Sequence, residues 1–221
     1  FASTIKSKNM SDRTIKQPIA FDRFCLLKGF NAGWSVLLMG IPYGMVVTYI
    51  AIYGKELGIH SGVGIFFSLM SVGLIFSRLI GGKMVDRGQL VKVVSYGTFF
   101  CLLGFLALAA LNNIEHYNSS MVVGLFYVIA LVLGVGYGLI FPAYNTLFVK
   151  LATNNRRATA RSTYMTSRDI GVGIGLVLGG RLADARGGLP LAYLVGAFAV
   201  AFSLMFFMRV AGSHFERNKL R

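Results

Sequence analysis

Charge is scarce in this 221-residue sequence. Asp, Glu, Lys and Arg make up 14% of it, where a soluble domain needs about 25% to cover its surface. Acidic residues are the scarcest, 8 against 22 Lys and Arg, for a formal net charge of +14. Cysteine is nearly missing, since Cys25 and Cys101 alone build neither a disulfide framework nor a metal cluster. They read as boundary and packing residues, with nothing to suggest a nucleophile. The 27 glycines follow no triplet period, which excludes collagen. An initiator Met is also missing. The sequence opens on Phe1 and is expected to be a fragment or processed piece, so the lack of a leader at its start carries no information. What is abundant is apolar bulk: 55% hydrophobic residues with 18 Phe and 10 Tyr, and a mean hydropathy of +0.66. That excludes a disordered chain and points to a bilayer.

A bilayer core of about 30 Å takes about 20 apolar residues in helical form. Uncharged stretches long enough to cross lie between Lys28 and Lys55, Lys92 and Glu115, His116 and Lys150, and Arg186 and Arg209. Between His60 and Arg78 the stretch is slightly short, and it spans if Arg78 lies near the membrane boundary or faces protein. The fifth segment, near 161 to 183, carries Arg168 and Asp169 in its first half. Gly171, Gly175 and Gly179 recur there every four residues, a stripe that lets another helix approach closely; a flexible glycine loop is the alternative.

With six crossings both ends lie on one side. Lys and Arg then collect there: Lys6, Lys8, Arg13, Lys16, Arg23 and Lys28; Arg78, Lys83, Arg87 and Lys92; Lys150, Arg156, Arg157, Arg161 and Arg168; Arg209, Arg217, Lys219 and Arg221. Only Lys55, Arg181 and Arg186 fall on the other side. By the positive-inside rule the basic side is cytoplasmic, which accounts for the net charge without nucleic acid. The expected fold is therefore an all-α membrane protein: a cytoplasmic linker at 1–20 that touches anionic headgroups, a six-helix transmembrane domain at 21–212, and a cytoplasmic tail at 213–221.

Gly81-Gly82-Lys83-Met84-Val85-Asp86 resembles Gly179-Gly180-Arg181-Leu182-Ala183-Asp184, roughly 98 positions later and three crossings away. The copies then face opposite sides of the membrane, as two inverted three-helix repeats require. Gly40-Ile41-Pro42-Tyr43 and Phe141-Pro142-Ala143-Tyr144, roughly 100 positions apart, give a second landmark. Proline inside a span removes a backbone hydrogen bond and clashes one turn back. The first and fourth spans are accordingly expected to line a cavity and to move, a structural kink without gating being the alternative.

Asn31, Ser35, Leu38, Pro42, Val46, Tyr49 and Tyr53 recur at intervals of three or four and share one helical face. That polar face is expected along a water-filled transport path; Asn31 and Tyr53 are alternatively interfacial anchors. Tyr127, Tyr137, Phe141, Tyr144 and Asn145 in the fourth span offer aromatic faces with a few hydrogen-bonding tips. Those faces suit a moderately apolar or cationic organic solute or, equally, an ordinary helix interface. Ser68, Ser71 and Arg78 share a face of the second span, where serines serve helix packing. Thr163, Thr166 and Ser167 precede Arg168 and Asp169, whose opposite charges can enter the membrane boundary together as part of a cytoplasmic gate; a surface ion pair is the competing view. No Asp or Glu is expected deep within a span. His60, His116 and His214 fall at loops or ends and read as solvated surface groups. No metal-ligand set, cofactor motif or catalytic constellation is found.

These segments resemble the major facilitator superfamily, specifically its C-terminal six-helix half, over about residues 21 to 210. GGKMVDRGQLVKV is similar to the family's cytoplasmic loop signature, although one residue is missing between Arg87 and Gly88 and Gln89 and Leu90 stand where basic residues are usual. GVGYGLIFPAYN and RRATARSTYMTSRDIGVGIGLVLGG are similar to the corresponding family segments, and bacterial drug and sugar efflux members look most alike. The resemblance implies that 1–20 follow a sixth helix of an N-terminal half absent from this chain, and that this half is the main partner. It implies that Asp86 latches one conformation against the positive end of a helix in that other half, with Arg87, Arg78, Arg168 and Asp169 as further gate residues; a turn residue that ends its own loop is the alternative for Asp86. It also makes the Asn118-Ser119-Ser120 sequon meaningless, as in any bacterial protein. The expected activity is proton-linked efflux of a small organic solute by alternating access at the bacterial inner membrane, with the coupling carboxylate in the absent half. An uptake symporter on the same fold, or a non-transporting six-helix subunit, is the alternative.

Overall fold

The computed structural model describes residues 26, 29–59, 63–114 and 119–219. The expected linker at 1–20, Cys25, His60, His116 and Asn118 of the sequon lie outside them. Six long helices follow one another: α1 (Phe30–Glu56), α2 (Val63–Asp86), α3 (Leu90–Ile114), α4 (Ser119–Leu151), α5 (Arg157–Ala183) and α6 (Gly188–Phe206). A π-helical turn at Phe207–Ala211 joins α6 directly to a short α7 (Gly212–Asn218), so the last helix runs on past Arg209 into the expected tail. No strand occurs among the described residues.

The helix ends follow from glycine chemistry. Gly88, after α2, has φ +77°, a left-handed conformation that costs a residue with a Cβ. Its N–H donates to the Val85 carbonyl while Gln89 N–H reaches back to Met84, the paired closure that stops a helix at glycine. Gly58 closes α1 in the same way, with φ +76° and bonds from Gly58 and Ile59 N–H to Lys55 and Gly54. Pro42 and Pro142 sit inside α1 and α4, and both helices run through them.

The fifth segment is one unbroken helix of 27 residues, not a glycine loop. Five helical runs, 30–56, 64–86, 90–113, 121–151 and 188–218, are long and apolar enough to cross a bilayer. The sixth expected crossing does not meet that composition, because Arg157, Arg161, Arg168 and Asp169 occupy the first half of α5. Its packing is against α1. Gly171, Gly175 and Gly179 are buried and face α1. Where the surrounding medium is as apolar as the side chains, such close backbone approach is the main attraction between helices.

Two pairs of helices make the same kind of contact. Along α1 and α5, a Cβ on Gly40 would lie 2.6 Å from the Arg168 carbonyl, one on Gly44 would strike the Val172 carbonyl and one on Gly171 the Leu37 carbonyl. Along α4 and α2, a Cβ on Gly134 would strike the Met70 carbonyl, one on Gly138 would lie 2.8 Å from the Leu74 carbonyl and one on Gly73 2.6 Å from the Leu131 carbonyl. In each pair rising numbers meet rising numbers, so the partners run parallel. α3 packs on α4 and α6, and α6 also packs on α1. α3 and α6 expose Tyr96, Phe99, Phe100, Leu103, Phe198, Phe202 and Met205, large apolar side chains of the kind that meet lipid.

Candidate functional site

Three helices bring an aromatic and arginine cluster together. Tyr137 and Phe141 are four residues apart on α4 and therefore share a face; their rings stack with centroids 5.3 Å apart. Tyr43 of α1 meets both edge-on, at 4.8 Å from Tyr137 and 5.0 Å from Phe141. From α5 the Arg168 guanidinium lies over the Phe141 ring at 5.7 Å and over the Tyr164 ring at 5.9 Å, within cation–π range. Tyr164 hydroxyl donates to the Phe141 carbonyl at 3.1 Å, tying α5 to α4 below the arginine. Arg168 also donates from Nε and Nη2 to Asp169 Oδ1, at 3.0 and 2.9 Å.

At 1.5 Å per residue, Arg168 stands about 16 Å into α5. Its backbone is level with Gly40, near the middle of α1. The Arg168–Asp169 pair therefore lies near the middle of the length of α5, beside the middle of α1.

The polar stripe of α1 packs inward instead of lining one path. Ser35, Pro42, Val46 and Tyr53 are buried. Ser35 Oγ pairs with Tyr144 hydroxyl at 2.6 Å and with Ser203 Oγ at 3.1 Å, and Ser203 donates to the Ser35 carbonyl at 3.0 Å. This knot joins α1, α4 and α6 beside the π-helical turn, whose Phe207 ring meets Tyr144 edge-on at 5.6 Å. Pro42 faces Gly196 of α6. Tyr49 braces α1 on α5 by donating to the Leu176 carbonyl at 2.7 Å. Tyr53 donates to the Leu108 carbonyl of α3 at 2.9 Å. Asn31, Tyr127 and Asn145 are half-buried.

Arg78 and Asp86 of α2 face a second, smaller feature. With Pro142 and Thr146 of α4 they line a cavity of about 180 Å³ at the end of the α2–α4 crossing. Arg87 is exposed on the adjoining turn.

Tyr43, Tyr164 and Ser203 belong to these sites and were not expected there. Tyr164 is one helical turn before Arg168, a spacing that places both on one face. Tyr43 lies off the polar stripe, and nothing in the sequence signals Ser203. The Tyr137 hydroxyl, fully buried, has no hydrogen-bond partner. Tyr137→Phe removes that orphaned group and keeps the ring, so it is expected to leave stability unchanged or raise it by about 1 kcal/mol, read by reversible unfolding in mixed micelles.

The chain matches the model of the Major Facilitator Superfamily over residues 14–176. It is 25% identical over 196 residues to the uncharacterized MFS-type transporter YhhS of Salmonella enteritidis PT4, covering 88% of this chain and 45% of that protein. It is 24% identical to YhhS of Escherichia coli K12 over the same shares. The chain thus spans a little under half the length of these relatives. Parallel helix pairs seated on glycine, large exposed apolar side chains and a family match over most of the sequence converge on one assignment: the chain belongs to the Major Facilitator Superfamily and is a multi-pass membrane protein.

Proposed function

We propose that the chain is one six-helix half of an alternating-access secondary transporter, built as two inverted three-helix repeats and moving a small organic solute past Tyr43, Phe141 and Arg168, with the buried Tyr137 behind them. The observation that carries this reading is the recurrence of the glycine contacts. Leu37, Gly40 and Gly44 of α1 meet α5 as Leu131, Gly134 and Gly138 of α4 meet α2, each 94 positions on, while Arg168, Gly171 and Val172 correspond to Met70, Gly73 and Leu74, 98 positions back. Three-helix units related by inversion produce such exchanged pairings. The Gly81-Gly82 landmark agrees with the 98-residue offset; Pro42 and Pro142, 100 positions apart, stand more than a turn out of register with the 94.

The coverage of under half of each relative supports a missing half. So does the mixed surface of α2 and α5, where Ser68, Ser71, Thr166 and Asp169 are exposed among apolar residues. That surface suits a wet path or a second bundle better than lipid. Asp86 ends α2, where its charge opposes the negative end of its own helix dipole, so a partner outside this half suits it. In this proposal Asp86, with Arg87 and Arg78, latches one conformation from the cytoplasmic side, both termini lie in the cytoplasm, and protons drive efflux across the bacterial inner membrane.

The test uses the whole transporter in proteoliposomes under an imposed pH gradient, with a broad solute panel. The expected result is outward solute flux coupled to proton entry. Accumulation with the proton gradient would establish the uptake symporter instead, and no flux of any solute would overturn a transport role. Asp86→Asn is expected to change the transport rate by about fivefold to tenfold, the equivalent of 1 to 1.4 kcal/mol of lost latch energy; unchanged kinetics would remove Asp86 from the latch.

A further inference from the structure

The charge that the aromatic cluster already holds decides which solute it takes. Resting on the transport-path reading above, we infer that the solute is an organic anion: its carboxylate pairs with the Arg168 guanidinium while its apolar body lies against Tyr43 and Phe141, which are half-buried over the fully buried Tyr137 ring. Aromatic walls alone attract cations, as the sequence suggested. Here the protein's own guanidinium occupies the faces of Phe141 and Tyr164, so a second cation meets like charge where it would need a free ring.

Arg168 retains capacity for a ligand. Two of its N–H groups go to a single oxygen of Asp169, out of the five that a guanidinium carries. A planar fork of this kind takes a carboxylate in two parallel bonds. Asp169 follows Arg168 directly in the helix, so its Cβ leaves the axis about 100° round from that of Arg168. Its side chain is 62% exposed against 31% for Arg168. The aspartate is thus the outer partner, free to turn toward water as a solute carboxylate takes its place. One carboxylate replaces another on the same guanidinium, and no charge is left unpaired among the rings.

The experiment titrates the purified whole transporter in detergent with three compounds that share a ring and differ in charge: benzoate, benzamide and benzylammonium. Benzoate is expected to bind at least tenfold more tightly than benzamide, with benzylammonium weakest. Arg168→Gln is expected to weaken benzoate at least tenfold and to erase its preference over benzamide. Asp169→Asn, which removes the internal competitor, is expected to tighten benzoate severalfold, a change of opposite sign that loss of a merely structural ion pair would not give. A preference for benzylammonium that Asp169→Asn abolishes would overturn the inference and leave the transport path standing, as would benzoate binding indifferent to Arg168→Gln. No binding of any of the three would overturn both. Where Arg168→Gln fails to give a monodisperse protein, the order of the three ligands and the sign of the Asp169→Asn effect decide.

Discussion

Gly134→Val and Gly171→Val are each expected to destabilise the bundle by about 3 kcal/mol or more, enough to lose most folded protein from the membrane. A Cβ on Gly134 strikes the Met70 carbonyl and lies 3.1 Å from the Gly73 Cα; one on Gly171 strikes the Leu37 carbonyl and lies 3.0 Å from the Gly40 Cα. These are backbone atoms on the neighbouring helix, which no rotamer change can move aside. The helices must separate along their length, and the van der Waals contact that holds them in lipid separates with them. Gly173→Val is the internal control. Gly173 is exposed and a Cβ there meets nothing within 4 Å, so its effect is expected to stay within about 0.5 kcal/mol. Reversible unfolding of the whole transporter in mixed micelles measures all three. Equal loss at Gly134, Gly171 and Gly173 would point to general intolerance of valine in these helices rather than to the crossings.

Ser35→Ala is expected to cost about 2 kcal/mol, because it strands the Tyr144 hydroxyl in a dry interior. Tyr144 and Ser203 are both fully buried. Tyr144→Phe leaves Ser35 bonded to Ser203 and is expected to cost only about 1 kcal/mol. Combined, the two substitutions are expected to cost about 1 kcal/mol less than their sum, since the second removes the group the first orphans. Strict additivity in the same unfolding assay would mean that water reaches the knot. The contrast with Tyr137→Phe, where the lost hydroxyl has no partner, separates the value of a satisfied tyrosine from that of an unsatisfied one within a single helix.

The polar stripe of α1 and the Arg168–Asp169 pair mark where sequence reasoning stopped, for two different physical reasons. Helical spacing groups Asn31, Ser35, Pro42, Tyr49 and Tyr53, but it cannot say what each one meets: Ser35 bonds to α4 and α6, Tyr49 to α5 and Tyr53 to α3. In a soluble protein a polar face goes to water; in a bundle surrounded by lipid, a serine gains as much from a tyrosine hydroxyl on another helix. The Ser35 partners lie 109 and 168 positions away, beyond any local pattern. For Arg168, depth depends on where α5 begins and on which residue of α1 stands beside it. Counting charges along the segment puts the pair in the first half of α5, and only the contact with Gly40 shows which part of α1 it stands beside.

The sequence by itself determined the long helices, the glycine stripe of α5 and the family, because span length, small-residue period and loop signature are local properties of the chain. The tertiary structure alone decided which faces meet: α1 on α5, α4 on α2, the serine and tyrosine knot inside, and arginine over aromatic rings at half height. Packing and electrostatics between helices depend on register and rotation, which residues a hundred positions apart set jointly and no single segment encodes.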